Sequence, residues 1–244
     1  MRELRAILDK ATPEERRGLA GVLEADGYED EDIDKAFRWN SQSAFGYFLG
    51  DEPSYYEIVK QTADKLGITH HGVGTKDLEV RIARKVFQTA WEEMPPEQKK
   101  KMEAELRRMA QKFDKGGELA KSASIFAALT AAKLSGFGVY LLASTSLGAL
   151  TGAVGTTLPF IVYTTMSSTI ATVLGPVGLI GAGLFAIWKL SGPNYQRLIS
   201  AVIYVLLLRL EQERRDKVKE KRARVVMYIT VTILLAAGVL WLVR

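Results

Sequence analysis

Apolar positions along the chain follow two regimes. From Met1 to about Phe113 they recur between charged residues at the three- and four-residue spacing of a helix face. Leu4, Ile7 and Leu8 form the first set, and Leu19, Val22 and Leu23 the second. Ile33 and Phe37, with Trp39, mark a third helix; Tyr56, Ile58, Val59 and Leu66 a fourth; Leu78, Ile82 and Val86, with Trp91 beyond, a fifth. Polar punctuation agrees with this reading. Thr12-Pro13-Glu14-Glu15 offers a capping hydroxyl, a proline at the first helical position and a glutamate at the third. The acidic run Glu29 to Asp34 suits the positive end of a helix dipole. Phe45, Tyr47, Phe48 and Leu49 form a short apolar element stopped by Gly50. Pro53 opens a helix that Gly67 ends, Thr75 is expected to cap the next, and Pro95-Pro96 separates it from a charged helix reaching Phe113. No strand-length alternation occurs, so the predicted fold is all-α.

The second regime begins at Leu134. From there to Trp188 run 55 residues without one charged side chain. A single helix of that length would extend roughly 80 Å, against the ~30 Å hydrocarbon core of a bilayer. The pattern therefore predicts a transmembrane hairpin: a first span over Gly136 to Leu158, a turn at Pro159, and a second span to Trp188, kinked or divided at Gly175-Pro176. Ile125 to Leu134 is expected at the membrane interface. Leu198 to Leu208 is too short to cross and is expected on a membrane face. Val225 to Val243 has the length and composition of a C-terminal transmembrane anchor. The expected divisions are a cytoplasmic helical domain over 1–117, the hairpin over 118–197, a membrane-proximal basic segment over 198–224, and the anchor over 225–244, with Gly116-Gly117 at the first boundary.

Charge sharpens this division. Residues 1–123 hold 24 acidic and 21 basic side chains, and the remainder 4 and 12, so the chain's net +5 comes from its C-terminal half. Basic residues flanking apolar spans favour anionic lipid head groups over a general nucleic-acid surface. The candidates for lipid contact are Arg214, Arg215, Lys217, Lys219, Lys221, Arg222 and Arg224. Three crossings with these charges inside place residues 1–133 and 189–224 in the cytoplasm of a bacterial inner membrane. The absence of cysteine excludes disulfides and thiolate metal sites, and the charged N-terminus lacks the apolar core of a secretory signal.

The hairpin differs in kind from the anchor. Between Leu134 and Trp188 lie 13 Ser or Thr and 9 Gly; Val225 to Val243 has two Thr and one Gly. Small residues let helices approach closely, which makes Gly148, Gly152, Gly155, Gly175, Gly178 and Gly181 candidates for helix packing and homo-oligomerisation. Thr164, Ser168 and Thr172 share one face of the second span and are candidates to line a pore, which one chain has too few spans to enclose. Ordinary helix packing accounts for the same pattern. Lys99, Lys100, Lys101, Arg107, Arg108 and Lys112 form a basic face fitted to lipid, nucleotide or oligonucleotide phosphates, or simply to water. His70-His71 stand in a turn-rich loop with no acidic neighbour, a poor metal site. No catalytic constellation and no cofactor motif stands out, and Gly72-Val73-Gly74 is too brief for a phosphate loop.

Four stretches carry a resemblance: Leu4 to Leu23, Phe45 to Leu66, Leu78 to Met94 and Gly175 to Leu198, whose GPVGLIGAGLFAIWKLSGPNYQRL is among the more specific. Through them the chain resembles the YaaW-like family of uncharacterised bacterial proteins. The region before the hairpin is distantly similar to the ubiquinol–cytochrome c chaperone superfamily. The expected function is a homo-oligomeric membrane effector, pore-forming or membrane-disrupting, gated by its cytoplasmic helices in a defence or stress setting. The resemblance suggests the alternative of a membrane-bound assembly factor acting on a protein partner. A receptor for a nucleotide or short nucleic acid is a third reading, and none of the three is an enzyme.

Overall fold

The structure, a computed structural model, describes residues 1–41, 52–114, 117–131, 134, 136–154 and 182–242, with backbone alone for 151–154, 182–193, 231 and 233–242. All regular structure among the described residues is helical. The short helices α1 (Arg2–Leu8), α2 (Pro13–Leu23), α3 (Asp30–Ser41) and α4 (Tyr55–Lys65) precede the longer α5 (Thr75–Glu93) and α6 (Pro96–Phe113). Two brief turns of helix, α7 (Glu118–Lys121) and α8 (Ile125–Thr130), lead to α9 (Phe137–Val154) and α10 (Ala182–Leu242).

The local signals explain the boundaries. Thr12 and Glu15 close a reciprocal capping box at α2: the Glu15 amide donates to Thr12 Oγ1 at 3.2 Å and the Thr12 amide to Glu15 Oε2 at 2.8 Å. Ser54 and Glu57 repeat the device at α4, so Pro53 precedes the cap and does not itself open the helix. Gly74 is the N-cap of α5, and Thr75, expected there, is its first residue, with its hydroxyl donating to Glu3. Gly67 ends α4 with φ of 67°, a left-handed conformation that glycine adopts without strain.

The chain divides into two units, Met1–Leu208 and Arg209–Arg244. The division falls far beyond Gly116-Gly117, because the expected membrane segments on either side of the hairpin turn take part in the first unit's core. Helix α9 packs chiefly on α5 and also on α6 and α8. All ten residues from Leu141 to Leu150 are buried. The Ser146 hydroxyl lies 2.7 Å from Leu142 O in its own helix and 2.8 Å from Ala83 O on α5. Leu198 to Leu208, expected on a membrane face, is likewise enclosed by protein, with Leu198, Ile199, Val202, Ile203 and Leu206 wholly inaccessible. Tyr204 is buried and its hydroxyl donates to Glu15 O of α2 at 3.2 Å. A helix that is apolar on every side must leave water, and a protein core meets that need as well as lipid does. Among the described residues no helix is long and apolar enough to cross a membrane. The second expected span lies at 160–188, of which 160–181 are outside the described residues, as are the anchor's side chains at Val231 and from Ile233 onward.

The remaining core follows the predicted stripes. Leu4, Leu8, Leu19, Ile33, Phe37, Ile58, Leu78, Ile82 and Val86 are all essentially inaccessible. Polar groups are drawn in with partners. Asp34, 7% exposed in its side chain, accepts from Arg5 at 3.2 Å and from Arg38 at 3.0 Å. The Tyr55 hydroxyl donates to Glu79 Oε1 at 2.9 Å between α4 and α5.

Candidate membrane surface and cleft

The cations predicted to meet phosphates are largely committed within the first unit. Arg107 donates to the carbonyls of Ser122 (2.8 Å) and Ala123 (2.9 Å) and to Glu103 (3.1 Å). Glu103 in turn accepts the Ile125 amide at 2.7 Å, so this pair fastens the start of α8 onto α6. Arg108 grips Glu105 through two bonds of 3.1 and 2.7 Å. Lys99 reaches back to Glu92 O at 3.0 Å, and Lys112 lies over the Phe113 ring at 5.0 Å. Lys100 and Lys101 are exposed. A phosphate surface made of all six side chains is not assembled, because α6 uses its arginines as structural ties. His70 pairs with Asp64 at 2.8 Å, an acidic partner that sequence spacing did not reveal because it comes from the preceding helix. No group of three metal-ligating side chains gathers among the described residues.

Of the glycines predicted to mediate oligomerisation, Gly148 is buried inside the first unit, as is Ser144 one turn before it. Gly152 belongs to α9, where only backbone is described. Gly155, Gly175, Gly178 and Gly181, and the pore candidates Thr164, Ser168 and Thr172, lie outside the described residues.

In the second unit, the described side chains of α10 are exposed from Asp216 onward. Arg214 pairs with Glu211 at 2.8 Å and Arg224 with Glu220, one turn apart on the helix. Lys217, Lys219, Lys221 and Arg222 are exposed between them. Immediately after the basic segment, Val225, Val226, Met227, Tyr228 and Ile229 are exposed by 55–67%. Five consecutive residues at about 100° per residue pass right round a helix. The apolar surface is therefore a sleeve and not a stripe.

The first unit also bears a cleft of about 190 Å³ where the C-terminal end of α2, helix α3 and Arg197 of α10 meet. Its position follows from an unusual helix end. Glu24, the C-cap of α2, has φ of 52° and ψ of 46°, the one left-handed non-glycine residue among those described. Its carboxylate pairs with Arg197. Trp39, 46% exposed, supplies an aromatic wall, and Leu23, Ala25 and Ala36 supply apolar lining. Sequence reading placed Trp39 on the third helix; of its partners in the cleft, Arg197 comes from a distant part of the chain.

Comparison with known proteins adds one relative. The chain is 28% identical over 193 residues, 78% of its own length and 74% of the relative's, to a UPF0174 protein of Helicobacter pylori (strain J99 / ATCC 700824). No protein-family model matches, and no solved structure does. The YaaW-like resemblance therefore rests on the four sequence stretches alone.

Proposed function

We propose that the protein is a membrane-anchored helical recognition unit, held by its second unit and presenting the first at the bilayer surface. The observation that carries this reading is the apolar sleeve beginning at Val225 directly after an exposed basic segment. From Val225 to Val243 the sequence holds 19 uncharged residues, about 28 Å of helix against a ~30 Å hydrocarbon core. A soluble partner helix would cover one stripe; lipid covers a sleeve. Lys217, Lys219, Lys221 and Arg222 then stand at the depth of the head groups, where each cation near an anionic surface contributes about 1 kcal/mol. By the positive-inside rule the basic segment and what precedes it face the cytoplasm.

Ser144 and Gly148 are buried within the chain, and the pore candidates Thr164, Ser168 and Thr172 lie outside the described residues. Anchoring in the membrane is the activity proposed. The test is flotation of the full chain with phosphatidylcholine–phosphatidylglycerol vesicles. The wild type is expected to float and to resist carbonate extraction, and the Val226→Asp, Ile229→Asp double variant to stay at the bottom of the gradient. A wild-type chain that remains soluble and vesicle-free overturns the reading.

A further inference from the structure

We propose that the cleft between α2, α3 and Arg197 is a binding site for a small zwitterion of the size of a free amino acid with an apolar side chain. Volume limits the ligand first. At about 190 Å³ the cleft falls well below the ~300–1,000 Å³ of pockets that enclose drug-sized molecules.

Charge then selects its chemistry. Of the five charged residues lining the cleft, Glu24 and Arg197 neutralise one another. Asp32 is engaged locally, its Oδ2 accepting the Glu29 amide at 3.3 Å. Asp26 and Lys35 have no ion partner among the described residues, and they carry opposite signs. A ligand with only one charge answers only one of them. A molecule bearing both an ammonium and a carboxylate answers both, at no net change in charge.

The rest of the lining fixes the remainder. Both amide hydrogens of Asn40 are used, donated to Leu23 O (3.2 Å) and Ala36 O (2.8 Å), which settles the orientation of the amide. Its Oδ1 is left as a buried acceptor without a hydrogen-bond partner, a position that favours an N–H donor nearby. The Trp39 indole and the apolar lining suit a hydrocarbon or aromatic side chain. Glu24 stands in the left-handed region where glycine is the usual occupant, a strain of the kind that gathers at binding sites.

The test is isothermal titration of the full chain, in detergent micelles, with each of the twenty free amino acids. At least one with an apolar side chain is expected to bind saturably, and its decarboxylated amine and deaminated acid at least tenfold more weakly. Asp26→Asn and Lys35→Gln, both at exposed positions, should each weaken binding tenfold or more with unchanged helicity and melting temperature. Absence of binding by all twenty, equal binding of a singly charged analogue, or full affinity in both variants overturns the proposal. Because vesicle flotation is read separately, failure here leaves the anchoring reading standing, and the converse also holds.

Discussion

Glu24 illustrates how much a single backbone conformation decides. A non-glycine residue in the left-handed region costs about 1–2 kcal/mol, and the partly exposed ion pair with Arg197 returns only a fraction of that. Glu24→Gly is therefore expected to raise stability by about 0.5–1 kcal/mol, measured as a shift of the urea midpoint at constant slope. A lower midpoint would mean that the ion pair outweighs the strain. Tyr204 makes the opposite case. Burial, with the nearby Glu15 charge, pushes its phenol well above the usual range, so it stays a neutral donor to Glu15 O. Tyr204→Phe should cost about 1 kcal/mol by leaving a buried carbonyl with one partner fewer. Neither effect is written in the sequence near these residues, since the partner of Tyr204 lies 189 positions away.

At the scale of elements, helix starts were legible and helix surroundings were not. The Thr12–Glu15 box and the proline at α6 were read directly, because capping is settled within four residues. The Ser54–Glu57 box leads to a pH prediction. The Ser54 backbone and side-chain hydrogen bonds hold the Glu57 carboxyl below its ordinary value of 4.5. A depressed folded-state pKa contributes stability that is complete above about pH 4.5 and is lost as pH falls through the folded value. Wild type should thus lose slightly more stability than Ser54→Ala between pH 5 and pH 3, with identical slopes in that window counting against it. The core placement of 198–208 is tested by Ile203→Ala, which should cost roughly 2–5 kcal/mol. A residue lying against lipid would show no such loss in detergent-free refolding of the first unit's core.

For the whole molecule, the division at Leu208 separates a packed helical unit from a segment whose described side chains, from Asp216 onward, are exposed. If Val225 to Val243 inserts, charge steers the approach and apolar burial holds the result. Surface electrostatics are screened over ~3 Å at 1 M salt. Washing vesicle-bound protein with 1 M sodium chloride should leave it bound, whereas a Lys217→Glu, Lys219→Glu, Lys221→Glu variant should bind neutral and anionic vesicles equally. Release by salt alone would show that the basic segment, and not the apolar sleeve, makes the attachment. The gated effector expected from the Gly, Ser and Thr content depends on residues 155–181, which lie outside the described residues.

By itself the sequence determined that the chain is helical, where several helices begin and end, and which segments must leave water. Periodicity and capping are short-range, and transfer of an uncharged run out of water depends on composition alone. It did not determine the destination of those segments. Leu141–Leu150 and Leu198–Leu208 read as lipid-bound, yet the first packs on α5 and the second is buried with Tyr204 bonded to α2, because hydrophobicity measures escape from water and is blind to whether protein or lipid receives the side chain. Only the tertiary structure could decide that, and only it could bring Arg197 to Glu24 and Trp39 and so form the cleft.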